Sequence, residues 1–238
     1  MSDPSPSIAS PPDGQADLEP VRRWVREGVV DANDGIIATA GIVEGFVGAG
    51  ATGTAVLIAA FSAMIAGGIS VGGAKYSEAA AERDARMALI EAERRQLELS
   101  PAEEFAELVT LYEAKGLSAS LAHEVAAELT ERDALAAHVD AEYGLSMTDG
   151  RSPALLASVV AGFSFAAGAA IPLITVIVAP DAWRIPVTFI AIIVSLIITS
   201  LIVAVAGRLA VIRTILRTVA IGTSAMLLTL FVGSLFRP

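Results

Sequence analysis

Long runs of apolar residues dominate this sequence, with little of the alternation typical of strands or the one-sided stripe typical of amphipathic helices. A helix needs about 20 consecutive apolar residues to cross a hydrocarbon layer, because its backbone polar groups must be satisfied within the segment. Four stretches meet this requirement without a single Asp, Glu, Lys or Arg, and they cover residues 55–74, 154–179, 185–207 and 219–236. The pattern predicts an all-α membrane protein.

A fifth stretch, residues 28–50, has the length of a span but contains Asp31, Asp34 and Glu44. We include it as the first of five transmembrane helices. Arginines predict the orientation, since positive charges favour the cytoplasmic side. They precede the first span and lie between the fourth and fifth, at Arg22, Arg23, Arg26, Arg208, Arg213 and Arg217. This arrangement predicts a cytoplasmic N-terminus.

The charge of the chain is concentrated between the second and third spans. Residues 78–151 contain 17 acidic and 7 basic residues, an excess equal to the whole net charge of −10. Strong helix formers fill this segment, and Ser100-Pro101 is typical of a helix start. We predict a cytoplasmic acidic helical domain here. The rest of the chain is nearly neutral, which argues against nucleic acid as a partner, because binding phosphates needs a basic face.

These patterns divide the chain into four parts. Residues 1–20, rich in Pro, Ser and Asp, are predicted to form a disordered tail without the features of a signal peptide. Residues 21–77 contain transmembrane helices 1 and 2, residues 78–151 the acidic domain, and residues 152–238 transmembrane helices 3 to 5.

Common enzyme motifs give no support to a catalytic function. The absence of cysteine excludes thiolate catalysis and thiolate metal ligands. His123-Glu124 looks like the start of a zinc-protease motif, but Ala127 stands where the second histidine is needed. We therefore expect a protein that is not an enzyme and has no permanently bound cofactor.

The acidic domain offers candidate metal ligands. Carboxylates with an occasional imidazole suit hard or borderline divalent cations such as iron(II) and manganese(II). A solvated acidic surface is the alternative interpretation. The predicted ligands are Glu93, Glu103, Glu104, Glu107, His138 and Glu142.

Two carboxylates of the first span are candidates for a translocation path, because an acidic side chain inside a membrane is costly unless it is paired, protonated or bound to a cation. Asp34 lies near the predicted cytoplasmic end, where it belongs either to the path or to the headgroup region. Glu44 is ten residues further on, about 15 Å along the helix. We predict that Glu44 faces the interior and carries protons or cations. A neutral acid that only packs is the alternative.

Several motifs, taken in order, resemble the vacuolar iron transporter family in its bacterial form. They are NDGI at 33–36, AGGIS at 66–70, DALAAH at 133–138 and FAAGAAIP at 165–172. The resemblance implies a homodimer of five-helix subunits in a bacterial inner membrane, which exchanges cytosolic iron(II) or manganese(II) for protons. It implies a path role for Asp34. It also places the predicted glutamates 93, 104, 107 and 142 in a metal-binding domain and His138 where plant members carry methionine.

Four positions depart from the family pattern. Val71 stands where a methionine is usual, Ala63 and Lys75 stand where relatives have glutamate, and Gln96 replaces a glutamate of the cytoplasmic site. These departures leave open a second hypothesis, a membrane-anchored metal-binding scaffold or sensor that does not transport.

Two residues are candidates to compensate for the missing methionine. Met64 lies about two helical turns before Val71 and offers a thioether. Glu44 would reach the same volume if the first two spans packed through their glycines, namely Gly41, Gly45 and Gly68.

Overall fold

The computed structural model describes residues 19–146 and 154–237. Within these ranges the chain forms α-helices and one short 3₁₀ turn, and no strand, which confirms the predicted all-α class. The helices are α1 (Glu19–Gly48), α2 (Gly53–Leu99), α3 (Pro101–Ala114), α4 (Ala119–Tyr143), α5 (Ala154–Val178), α6 (Arg184–Ala206) and α7 (Val211–Leu235). The predicted disordered tail lies outside the described residues, except for Glu19 and Pro20, with which α1 begins.

Four of these helices are long and apolar enough to cross a membrane, namely α2, α5, α6 and α7. In α2 the apolar part is the first half, and a charged second half follows in the same helix of 47 residues. Helix α1 has 30 residues but carries Asp31, Asp34 and Glu44. The first of the five predicted spans therefore stays a prediction.

The chain divides into two compact units, and the first, which we call the membrane unit, comprises described residues 19–75 and 155–237. Helix α1 packs against α6 and α7 within it. One buried apolar cluster joins these three helices through Ile36, Ala40, Ile192, Leu196 and Met226. A second cluster joins α1 to α2 and α5 through Val43, Val56, Ala60 and Val176. One side of α1 is thus enclosed by apolar helices.

Glycines permit a very close approach between α1 and α5. A Cβ atom on Gly168 would overlap the backbone carbonyl of Ala32, and one on Gly35 would overlap the backbone carbonyl of Phe165. Each helix thus needs a glycine where it meets a backbone carbonyl of the other helix. The two backbones therefore touch directly, as small residues allow between helices in membranes.

The expected packing of the first two spans through Gly41, Gly45 and Gly68 is wrong. Gly41 and Gly45 face Thr229 of α7, whereas Gly68 faces Gly162 of α5. The glycines of the two spans therefore serve contacts with different neighbours. This packing does not direct Glu44 towards the volume beside Val71.

The second unit, which we call the acidic unit, spans Tyr76–Ala154, of which residues 76–146 and 154 are described. It contains the second half of α2 together with α3 and α4. Leu108 of α3 packs against Ala126 and Ala137 of α4, and Phe105 and Leu129 extend the cluster. Apolar contacts thus join the two shorter helices.

Helix α4 is interrupted at Asp133, whose backbone is extended, with φ −168° and ψ 93°. Its Oδ1 accepts a hydrogen bond from the backbone N–H of Ala136 at 3.0 Å. This is the geometry of an N-cap residue, which satisfies a free amide of a helix's first turn. Asp133 thus ends one helical segment and starts the next, which Gly144 closes in the left-handed conformation.

We expect Gly168→Ala to destabilise the protein by about 1–3 kcal/mol, because its methyl group must push α1 and α5 apart. Gly73→Ala is the control, since no atom lies within 4 Å of a Cβ at that position. Thermal unfolding of the purified protein in detergent should show a lower midpoint only for Gly168→Ala. Equal midpoints for both variants would contradict the close helix crossing.

Candidate metal centre

Three ionisable side chains from three helices meet inside the acidic unit. They are Glu93 of α2, Glu104 of α3 and His138 of α4, and one potential ligand atom of each lies within 4.8 Å of the others. Glu93 and His138 are 1% exposed and Glu104 is 6% exposed. In the described residues, no other group of three or more such side chains comes together. We call these three residues the buried triad.

The helix boundaries in the sequence create this meeting point. Pro101 cannot continue α2, since its ring removes the backbone donor, so a new helix begins after Ser100. This places Glu104 in the first turn of α3, where the helix dipole favours a carboxylate. His138 lies five residues after the Asp133 cap, so the start of the second segment of α4 determines where the imidazole lies.

The triad contains buried polar atoms without normal partners. Nδ1 of His138 lies 3.0 Å from Oε1 of Glu93 and 3.7 Å from Oε2 of Glu104. Despite these distances, neither ring nitrogen of His138 and neither carboxylate oxygen of Glu93 makes a hydrogen bond of normal geometry with the described residues. Buried polar atoms are almost always satisfied in folded proteins. A divalent cation bound by the two carboxylates and by Nδ1 of His138 would satisfy the atoms that face one another in the triad.

The electrostatics of the triad also favour a cation. The pKa of Glu93 is raised to about 7, chiefly because its carboxylate is buried, and next because the negative charges of Glu142, Glu104 and Glu107 lie nearby. Such a carboxylate is costly to ionise while the site is empty. A bound divalent cation would reverse this cost, because an opposite charge at short range favours the ionised form.

The other predicted ligands lie at the edge of the triad or outside it. Glu107 and Glu142 are exposed, although their charges act on Glu93. The phenol of Tyr143 donates a hydrogen bond to Glu142, and this bond is the main cause that raises the pKa of Tyr143 to about 12. Glu103 is exposed and does not belong to the triad. The structure thus brings together three of the predicted ligands, with two more beside them.

The three residues predicted for the translocation path have different environments in the membrane unit. Asp34 is exposed, Glu44 is completely buried and Met64 of α2 is half-buried. Asp34 and Glu44 are ten positions apart on one helix, which separates them by about 15 Å. A single ion cannot contact both carboxylates at once.

Asp133, which positions His138, was not among the residues predicted from the sequence. No glycine or proline marks a break there, so the sequence from 119 to 143 looked like one continuous helix. The only local signal was an aspartate three residues before the amide it caps, a spacing that also occurs by chance within helices.

We expect Glu104→Gln to weaken the binding of manganese(II) about tenfold or more, because one of the two buried carboxylates loses its charge. Glu103→Gln removes the same charge from the preceding, exposed position and should leave affinity nearly unchanged. Calorimetric titration of the purified full-length protein in detergent measures both. An equal loss in the two variants would mean that general acidity, and not the triad, binds the metal.

Metal-free protein should lose stability as the pH rises from about 5 to about 8. The pKa of Glu93 in the folded protein is about 7, above its ordinary value of 4.5, so the folded state holds the proton more tightly. The resulting stabilisation is complete below pH 4.5 and disappears as the pH passes through 7. We expect a change on the order of 1–3 kcal/mol, measured by thermal unfolding.

Glu93→Gln should remove most of this pH dependence and stabilise the metal-free protein at pH 8. Glu98→Gln, at an exposed position of the same helix, is the control and should retain the dependence. If Glu93→Gln left the pH profile unchanged, another group would be responsible for it.

Parts of this chain are similar in sequence to known proteins. Residues 25–234 match the model of the VIT family. A vacuolar iron transporter of Acanthamoeba castellanii (strain ATCC 30010 / Neff) is 38% identical over 122 residues, which are 51% of this chain and 44% of the relative. A vacuolar iron transporter of Plasmodium falciparum (isolate 3D7) is 38% identical over 79 residues, which are 33% of this chain and 29% of the relative.

The matched regions thus cover less than half the length of either relative. The family match, in contrast, extends over most of this chain and includes both the membrane unit and the acidic unit. The chain belongs to the VIT family, as the order of its motifs predicted.

Proposed function

We propose that this protein transports divalent metal ions, iron(II) or manganese(II), out of the cytoplasm in exchange for protons. The observation that carries the proposal is the buried triad, which offers two carboxylates and one imidazole with unsatisfied polar atoms. Membership of the VIT family supports metal transport as the general activity, rather than an enzymatic one. The vacuolar iron transporters among its relatives support iron as one substrate.

The ligand chemistry supports the choice of metal. The triad has no sulfur ligand, and oxygen with imidazole nitrogen suits iron(II) and manganese(II) better than copper(I). The charges of Glu107 and Glu142 next to the triad would attract a divalent cation from the cytoplasm. In this proposal the metal is cargo, which the acidic unit concentrates before translocation.

A homodimer with α1 at its interface is part of the proposal. Val30, Asp34 and Ala38 lie on successive turns of one side of α1, and all three are exposed in the single chain. An aspartate facing lipid would be costly, so this side needs a polar or charged neighbour. A second copy of α1 supplies one, because two Asp34 carboxylates meeting across the interface would form a cation site that one chain lacks.

The membrane topology of the proposal has five spans with a cytoplasmic N-terminus in a bacterial inner membrane. Its support is the enclosure of α1 by α6 and α7 and the placement of arginines at the start of α1 and around the start of α7. Helix α1 then crosses the bilayer with its polar residues directed inward or towards a partner.

Purified protein in liposomes tests the proposal. Iron(II) or manganese(II) added to the outside should enter vesicles that contain a metal dye and a pH dye, and protons should leave as the metal enters. Asp34→Asn should reduce metal entry at least tenfold, because the carboxylate on the exposed side of α1 is lost. Glu124→Gln, at an exposed position of the acidic unit, should transport normally.

The same experiment tests the scaffold or sensor hypothesis, which the replacements at Val71 and Lys75 in α2 favour. Wild-type protein that binds manganese(II) in calorimetry but moves neither metal into vesicles would contradict the transporter and favour that hypothesis.

A further inference from the structure

Glu44 is the most unusual buried group of the membrane unit. Its side chain is 0% exposed in the single chain. Neither carboxylate oxygen has a hydrogen-bond partner among the described residues. The enclosure comes from the protein's own helices, so it does not depend on a second subunit or on lipid.

Apolar residues of α1 flank this position and pack against the neighbouring helices. Val43, the preceding residue, packs against α2 and α5, and Ala40, one turn earlier, packs against α6 and α7. On the helices around α1, the charged residues of the membrane unit lie near helix ends, at Arg184, Arg213 and Arg217, or at the unit's boundary midway along α2, at Lys75. On α1 itself the nearest acids are Asp34 and Asp31, about three turns away. None of these groups hydrogen-bonds to Glu44.

An ionised carboxylate in this environment would be costly, because no neighbouring charge or hydrogen bond compensates it. A divalent metal would need further strong ligands, and Glu44 joins no group of acidic or histidine side chains in the described chain. A proton needs no additional ligand. It is therefore the cation that this position can hold.

We propose that Glu44 is a proton-binding site enclosed within each subunit, separate from the exposed side of α1 that carries Asp34. The metal and the proton would then use different carboxylates of the same helix. Asp34 is available to an ion at the exposed side of α1, whereas Glu44 exchanges its proton only when the helices around it admit water. The role of Glu44 in coupling rests on the proposed function, but the presence of a proton on Glu44 does not.

One further buried atom of α1 indicates where that water enters. Oδ1 of Asn33 has no hydrogen-bond partner among the described residues. Asn33 lies eleven positions before Glu44, close to three full turns, so both are on the same side of α1. Water that satisfied Asn33 would thus lie on the Glu44 side of α1, at its predicted cytoplasmic end.

Infrared spectroscopy of the full-length protein in detergent tests the proton directly. A protonated carboxylic acid has a carbonyl stretch distinct from that of a carboxylate, and the measurement is made at pH 8.5, where a carboxyl group of ordinary pKa is ionised. The acid band should be present in the wild type and in Asp34→Asn and should be lost in Glu44→Gln. A wild-type spectrum without the band, or one that Glu44→Gln leaves unchanged, would overturn the proposal even if transport were demonstrated.

Flux measurements in liposomes test the coupling. Glu44→Gln should still let manganese(II) move down its own gradient, but the accompanying proton movement should fall at least tenfold. Glu44→Asp, which keeps the acid, should restore part of it, whereas Asp34→Asn should lose both fluxes. Loss of manganese(II) entry in correctly folded Glu44→Gln would place Glu44 in the metal path and overturn the separation. A wild type without any flux would refute the proposed function and leave the infrared result to decide on the proton.

Discussion

The direct contact between the backbones of α1 and α5 is the constraint on which the membrane unit depends. Helix α1 carries three carboxylates and is too polar to qualify as a span by composition. It becomes part of an apolar bundle because Gly35 and Gly168 let the two helices touch, while Gly41 and Gly45 fit against Thr229 of α7. Close contact of this kind adds dispersion energy over many atoms, which in lipid replaces the hydrophobic effect between helices. The same contact gives α1 one enclosed side and one exposed side.

The acidic unit brings its ionisable residues together in a different way. The triad residues are 11 and 34 positions apart along the chain, and no two of them share a helix. Two chain breaks bring them together, one at Ser100-Pro101 and the other at Asp133. The apolar contact of Leu108 with Ala126 and Ala137 joins α3 to α4. The triad lies beside this contact, which explains how carboxylates in a strongly acidic segment become buried.

Hydropathy and helix signals in the sequence predicted the helical class, four spans and the start of α3, because these depend on local composition. The family resemblance and the ligand chemistry named Glu93, Glu104 and His138 as candidates. Ligand chemistry alone did not distinguish Glu104 from its neighbour Glu103, which the family resemblance left out, since only the packed rotation of α3 decides which one is buried. The packing of the first two spans through Gly41, Gly45 and Gly68 was not found, because a glycine spacing indicates close packing without indicating the partner helix. The break at Asp133 was not predicted, because its cap forms only in the folded chain.

Burial raises the free-energy cost of ionising Glu93, and it therefore also determines how proton binding to the triad depends on pH. With the pKa of Glu93 at about 7, roughly half of the empty sites carry a proton on this residue at neutral pH. In the proposed transporter a metal must displace that proton, so its apparent affinity falls as the pH falls. At the ordinary pKa of 4.5, the site would be ionised throughout the physiological range and would release metal only in strong acid. If the site binds a transported metal, as proposed, it benefits from the raised value, because proton and metal then compete near neutral pH.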